Sequence, residues 1–152
     1  VKAGVFRSAL GRQNGQHLHV QDFSRRPLLN AAYLGEDGLK NGIRAKISSW
    51  RRIGNNTMPA TAKAGGQYLN SILAKVESQK AGYEEAILLN EQGYVADGSG
   101  ENIFVVKDGA LLTPPVGASI LEGITRNAVM ELAASAGIAL PLISSGGTGL
   151  LK

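Results

Sequence analysis

Between residues 85 and 113 the chain alternates short apolar runs with turn signals, and this pattern most narrows what it can fold into. The clearest signal is Asp108-Gly109, set between the runs 102–107 and 110–113. Asp-Gly supplies the positive φ angles that a two-residue hairpin turn demands, so the two runs are expected to pair antiparallel. Upstream, 85–89 reads as a strand, Asn90-Glu91-Gln92-Gly93 as a turn and 94–96 as the returning strand. Pro114-Pro115 ends the last strand, because proline cannot donate to a ladder. A further strand is read at 43–50, where Ile43, Ala45, Ile47 and Ser49 face one way and Arg44, Lys46, Ser48 and Trp50 the other.

Two helices are expected. Residues 66–81 place Tyr68, Leu69, Ile72, Leu73 and Val76 on one face at helical spacing, with Lys75, Gln79 and Lys80 largely away from it and Gly82 as the C-terminal cap. Residues 125–136 form the second, with Ile124, Ala128, Val129, Leu132 and Ala136 on its buried face and Gly137 stopping it. A short helix or turn over 34–42 ends at Gly42, and 55–59 is a loop. Residues 1–30 keep no period, and 144–152, rich in Gly and Ser, read as a tail. This mixture defines an α/β (α+β) chain, a mixed or mainly antiparallel sheet with helices packed on it.

Composition enters by exclusion. The 152 residues include no cysteine, which rules out disulfides, thiol nucleophiles and cysteine-ligated metals. The two histidines, His17 and His19, flank Leu18; such a pair is more often structural than a metal site, and no metal is expected. The formal charge of +4 is scattered apart from Arg25-Arg26 and Arg51-Arg52, so no stripe for nucleic acid stands out. A basic binding module on residues 1–30 would lack aromatic interleaving. No apolar run approaches the roughly 20 residues of a membrane span, and no signal-peptide pattern opens the chain. A cytoplasmic protein is the expectation.

Four clusters could carry chemistry, and each has a plainer reading. In Thr57-Met58-Pro59-Ala60-Thr61-Ala62-Lys63-Ala64-Gly65-Gly66-Gln67-Tyr68, a lysine lies among small residues ahead of a helix. Small neighbours leave room for a planar ligand, and burial would lower the lysine pKa and free its amine for Schiff-base chemistry. Read locally, an ordinary surface lysine ahead of a helix is the favoured reading of Lys63, since lysine is seldom fully buried. In Val95-Ala96-Asp97-Gly98-Ser99-Gly100-Glu101-Asn102, two carboxylates flank a Gly-Ser-Gly loop that could offer one of them to a ligand nitrogen, or be a polar hairpin loop without EF-hand spacing. Leu121-Glu122-Gly123-Ile124-Thr125-Arg126 opens a helix with amides and a hydroxyl, as a phosphate cup or a plain cap would. Gly146-Gly147-Thr148-Gly149 has no strand–helix context and is a weak phosphate candidate.

In order, Tyr33-Leu34-Gly35, Ser48-Ser49-Trp50, Asn56-Thr57-Met58-Pro59, Ala62-Lys63-Ala64-Gly65-Gly66-Gln67-Tyr68, Gly100-Glu101-Asn102-Ile103-Phe104, Leu112-Thr113-Pro114-Pro115 and Gly123-Ile124-Thr125-Arg126 resemble the branched-chain amino acid aminotransferases. These belong to the class IV, D-amino-acid-transaminase-like pyridoxal-phosphate enzymes. The resemblance covers about residues 32–138 and divides the chain into an unmatched segment 1–31, an aminotransferase core 32–138 and an unmatched tail 139–152. It implies the large-domain core of the fold type IV enzymes and pyridoxal 5'-phosphate as cofactor. It also implies amino-acid and 2-oxo-acid substrates, namely leucine, isoleucine or valine with 2-oxoglutarate, and a homo-oligomer in the complete family. By motif, Lys63 matches the cofactor-bearing catalytic lysine, Tyr68 the tyrosine on the cofactor's phenolic oxygen, and Ile124 and Thr125 the phosphate contacts. Asp97 stands where the family usually has the Glu that pairs with the ring nitrogen; whether Asp97 or Glu101 takes that role stays open.

The pattern departs from the family elsewhere. Asp97 is one methylene shorter than Glu. Asn30-Ala31-Ala32-Tyr33-Leu34-Gly35 replaces Trp-Gly-Ala-Tyr-Leu-Gly, so the pocket Trp is missing. The family's small domain, with its phosphate-binding Arg, and its Gly-Thr-Ala loop find no match, and Arg126 is read as running along its helix. A fragment that is a weak catalyst by itself is expected. Other readings are a D-amino-acid transaminase or aminodeoxychorismate lyase of the same family, or a non-catalytic remnant.

Overall fold

The computed structural model of the chain describes residues 2–7, 18–22 and 41–143. Tyr33-Leu34-Gly35, most of the 34–42 segment, Arg25-Arg26, His17 and the 144–152 tail with its glycine cluster lie outside the described residues.

Seven strands form one sheet: β1 (Lys2–Arg7), β2 (Leu18–Asp22), β3 (Ile43–Arg51), β4 (Glu85–Leu89), β5 (Val95–Gly98), β6 (Glu101–Lys107) and β7 (Ala110–Leu112). Sequential neighbours pair, and β1 also runs parallel to β6, so the sheet closes on itself. Closure removes two edges that would otherwise expose unpaired backbone groups. The sheet is mixed, because β3 and β4 are also parallel while the remaining pairs are antiparallel. Two of these strands come from the stretch 1–30, where no period is legible. The expected hairpin is present: Asp108 (φ 50°) and Gly109 (φ 76°) turn β6 into β7. Ile143 and the bridge between Thr113 and Leu142 carry the chain past residue 138 back onto the sheet.

The core lies between the strands: Ile43, Ala45, Ile87, Leu89, Val95, Ile103, Val105 and Ile143 form one cluster. Every residue of β4 and β5 is buried. On β3 the alternation holds from Ile43 to Ile47 and then breaks, with Ser48 buried and Ser49 exposed, where the register against β4 shifts. In this irregular stretch β3 runs from Ile47 to Arg51 while β4 runs only from Ile87 to Leu89, and the expected facing of Ser48 and Ser49 is corrected.

Both helices form, but each turns a different face inward than expected. Helix α1 (Tyr68–Lys80) follows a short 3-10 turn at Gly65–Gln67. Its buried residues are Ser71, Ala74 and Ser78, whereas Leu69 and Ile72 are 65% and 55% exposed. Positions 71, 74, 75 and 78 also share one face at helical spacing. Ala74 packs on Ala86 and Leu88, and small side chains let the helix lie close to the sheet. The same side carries the ions that the sheet needs, through Lys75 to Glu85 and Glu77 to Lys46. Helix α2 (Ile124–Ser135) buries Arg126 and Ala133, with Val129 and Met130 packed against Phe104, while Ile124 and Leu132 face water. Burying Phe104 fully stabilises by about 1.5–3 kcal/mol. Arg126 does not run along the helix; it turns inward, donating Nη2 to the Pro114 carbonyl at 2.9 Å and Nε to Thr113 Oγ1 at 3.4 Å. That buried guanidinium fixes the rotation of α2, because a charge shut from water must be hydrogen-bonded.

Candidate active site

A cavity of about 320 Å³ opens beside the N-terminal end of α1. That is at the small end of ligand-pocket sizes. Its walls bring together Lys63 from the loop after β3, Tyr68 at the start of α1, Asp97 at the end of β5 and the turn Gly98-Ser99-Gly100-Glu101. Three of the residues singled out by motif, Lys63, Tyr68 and Asp97, therefore share one space although 34 positions separate the first from the last. Ile124 and Thr125 are not part of the cavity wall; they form the first turn of α2, a few residues beyond Leu121, which is.

The loop that bears Lys63 is held from its two ends. Ala62 donates its N–H to the Pro59 carbonyl, Gln67 to that of Ala64, and the buried Gln67 side chain reaches back to Pro59. Lys63 itself is exposed at the cavity mouth, as its plainer reading as a surface lysine has it. The small residues on either side, Ala62 and Ala64, are exposed as well and leave the approach open.

Asp97 is the opposite case. It is 4% exposed, its Oδ1 accepts Nδ2 of Asn102 at 2.9 Å and its Oδ2 accepts the Leu121 N–H at 2.9 Å. Both donors are neutral. Burial pushes its carboxyl from 3.8 up to about 6, and the Leu121 amide, the charge of Arg52, the Asn102 bond and the charge of Arg126 pull down without offsetting it. Burial, which disfavours the charged form, is the dominant cause. Asn102, on the same wall, gives its second N–H to the Leu121 carbonyl at 2.7 Å, while its buried Oδ1 accepts no hydrogen bond among the described residues.

Sequence reading missed two members of the site. Arg52 is 7% exposed and lines the cavity, donating Nε to the Ser119 carbonyl at 3.2 Å and Nη1 to Ser71 Oγ at 3.3 Å. Ser119 presents that carbonyl from left-handed backbone (φ 65°), a conformation costly for a non-glycine residue. Glu85 is 1% exposed behind the Ser99 turn. A carboxylate heading the apolar run Glu85-Ala86-Ile87-Leu88-Leu89 was the available signal for it.

An exposed amine at the mouth, a phenol and a buried carboxyl thus line one space, which can receive a ligand bearing a carbonyl group and a basic nitrogen. Among the described residues no group of three His, Asp or Glu side chains could hold a metal ion, and no helix is long and apolar enough to cross a membrane.

Comparison with known proteins points the same way. Residues 5–141 match the family described as Amino-transferase class IV, a stretch that begins upstream of the 32–138 region carrying the motifs. The Branched-chain-amino-acid aminotransferase of Escherichia coli (strain K12) is 52% identical over 107 residues, 70% of this chain and 35% of that protein. The solved structure of the Escherichia coli enzyme superposes with a TM-score of 0.71 at 50% identity, covering 73% of this chain and 36% of that one. The branched-chain amino acid aminotransferase of Thermobaculum terrenum, solved in its PLP-form, gives 0.69 at 38% identity over 71% and 36% of the two chains. The chain thus spans about a third of the length of these relatives.

Proposed function

Because the chain belongs to the class IV aminotransferases, we propose that residues 32–138 are the cofactor-holding core of a branched-chain amino acid aminotransferase, with pyridoxal 5'-phosphate in the cavity between Lys63 and Asp97. The observation that carries this is the cavity itself, whose walls bring together an accessible amine at Lys63 and a buried carboxyl at Asp97. The Thermobaculum terrenum relative, solved in its PLP-form, supports the choice of ligand.

In this reading Lys63 would hold the group through its amine, and the buried Asp97 would accept a hydrogen bond from its protonated ring nitrogen. Tyr68 would donate its hydroxyl to the phenolic oxygen. Ile124 and Thr125 would offer amide and hydroxyl to the phosphate at the start of α2, where the helix end favours an anion. When bound, the cofactor would supply an electron sink. The free Lys63 amine would act as the base that takes the proton from the substrate α-carbon. Leucine, isoleucine and valine are the proposed donors and 2-oxoglutarate the acceptor, in a cytoplasmic homo-oligomer.

The test is borohydride reduction after incubation with pyridoxal phosphate, followed by peptide mapping. Label is expected on Lys63 and absent in Lys63→Ala. Label on another lysine with Lys63 bare overturns the assignment. Glutamate formation from 2-oxoglutarate with leucine or D-alanine as donor, set beside pyruvate release from aminodeoxychorismate, reads out the substrate class.

A further inference from the structure

On the cavity wall, Asp97 near the end of β5 lies directly opposite Asn102 at the start of β6. Residues paired across an antiparallel ladder point to the same face, so the two side chains meet. The turn 98–101 sets this register, and it is tight: a Cβ on Gly98 would stand 2.9 Å from Glu101 Cγ and 3.2 Å from the Glu101 carbonyl oxygen. Asn102 donates one Nδ2 hydrogen to Asp97 Oδ1 at 2.9 Å and the other to the Leu121 carbonyl at 2.7 Å. Leu121 returns its own N–H to Asp97 Oδ2 at 2.9 Å. The three bonds close a ring through two strands and the backbone of Leu121.

The orientation of the Asn102 amide follows from its partners. Turned over, it would set its oxygen against two acceptors. Held as it is, it uses both Nδ2 hydrogens, and its buried Oδ1 accepts no hydrogen bond among the described residues. The demands of Asp97 and Leu121 therefore outweigh that of the amide's own oxygen. Leu121 also ends a strap, residues 119–121, which the core holds through Ile120 packed with Ala96 of β5. At its other end the Ser119 carbonyl accepts Arg52 Nε. Three positions beyond Leu121, Ile124 opens α2. Asn102 thus bonds at once the acid and the segment that leads into that helix.

We infer that Asn102 is a positioning residue that links Asp97 to Leu121, so that the acid of the cavity and the start of α2 keep one fixed spacing. The consequence for a ligand rests on the reading of the cavity as a pyridoxal phosphate site: a molecule held at its ring nitrogen and at its phosphate binds best when both ends are set before it arrives. The link itself is a property of the chain without ligand. The bonds to the Asp97 carboxyl come from Asn102 and Leu121. The charges of Arg52 after β3 and Arg126 on α2 act on it through space, and Lys63, Tyr68 and Glu101 share its cavity. The Asn102 bond favours the ionised form of Asp97, so its loss moves the titration upward.

Carbon-13 NMR of the chain labelled at its aspartate carboxyls tests the link without cofactor, with Asp97 assigned through Asp97→Asn. In Asn102→Leu, which keeps a branched side chain without donors, and in Asn102→Ala, the Asp97 midpoint is expected to rise by about one pH unit, as loss of one hydrogen bond to a charged group would have it. An unchanged midpoint, or a rise confined to Asn102→Leu, means that Asn102 acts by filling space and overturns the inference. Should the variants fail to fold, the wild-type chain decides. The Asn102 side-chain NH2 signals should be protected from solvent exchange and should shift with the Asp97 midpoint; an amide that exchanges freely or does not follow it overturns the link. Pyridoxal 5'-phosphate should bind Asn102→Leu about tenfold more weakly, whereas salicylaldehyde, with an aldehyde and a phenol but no ring nitrogen, should react with Lys63 as in wild type. Equal losses for the two aldehydes reduce Asn102 to a structural role. Borohydride labelling separates the two readings: an unlabelled Lys63 with a shifted Asp97 removes the cofactor and keeps the link, whereas a labelled Lys63 with an unmoved Asp97 does the reverse.

Discussion

Glu77 on α1 and Asp97 on β5 are carboxylates that the fold places in contrasting surroundings. Glu77 accepts Lys46 Nζ, the Ser48 hydroxyl at 2.8 Å, and the Ser49 hydroxyl at 2.8 Å, all from β3. With the Lys46 bond foremost, these donors outweigh burial and draw its carboxyl down from 4.5 to about 2. Asp97 has neutral donors and little water, and is pushed up to about 6. One acid ties a helix to a strand and needs nothing further. The other has only neutral hydrogen-bond donors, with the charges of Arg52 and Arg126 acting through space, and it lines the cavity. The difference teaches that an acid's environment, more than its presence in a motif, separates a structural anchor from a ligand-binding group.

The largest expected effect is on the pH dependence of stability. Asp97 titrates higher folded than unfolded, so its contribution is full below about pH 4 and is lost as pH rises through about 6. Wild type should lose roughly 3 kcal/mol relative to Asp97→Asn between those limits, at about 1.4 kcal/mol per unit. Denaturant unfolding across that range measures it, and pyridoxal phosphate should flatten the slope by supplying the cation. A flat difference without cofactor would erase the contrast between the two acids.

The next effect has the opposite sign. Glu77 titrates lower folded than unfolded, so its contribution is present above about pH 4.5 and fades as pH falls toward 2. Its side chain is 21% exposed, which screens the interaction, and Glu77→Gln is expected to cost about 1–2 kcal/mol at neutral pH. If the variant unfolds at the wild-type denaturant midpoint, the clamp contributes nothing and α1 is held by packing alone.

The smallest effect sharpens that point. If α1 is held by its small and ionic side, Ile72→Ser on the apolar side should change stability by no more than about 0.5 kcal/mol. Ala74→Leu, pressed between Ala86 and Leu88, should cost about 1–3 kcal/mol through overpacking. Equal costs at the two positions would mean that the exposed apolar side is covered in solution.

Much of the architecture was legible before any coordinates. Residues 85–113 carry their turns as dipeptides, and turn chemistry is local: Asp108 and Gly109 take positive φ because of what they are, wherever the hairpin sits. The lengths of both helices were legible for the same reason, with Gly82 and Gly137 left-handed just past their ends. The joint presence of Lys63, Tyr68 and Asp97 in one cavity could be expected from their motifs. Strands β1 and β2 were not legible, since short strands paired with distant partners leave little period of their own.

What only the tertiary structure decided is which of two helical faces turns inward, and which acid lines the cavity rather than anchoring a helix. Sequence spacing offers α1 an apolar face and a small, ionic one with the same period. The second is buried because Lys46 and Glu85 wait opposite it, and a buried charge must find its partner before a leucine finds its core. Arg126 decides the rotation of α2 in the same way. The sequence by itself determined the local turns, the helix ends and the residue types available for chemistry. The partners of each charge, and hence the opposite shifts of Asp97 and Glu77, belong to the fold, because electrostatic energy depends on distance and burial that one-dimensional spacing does not contain.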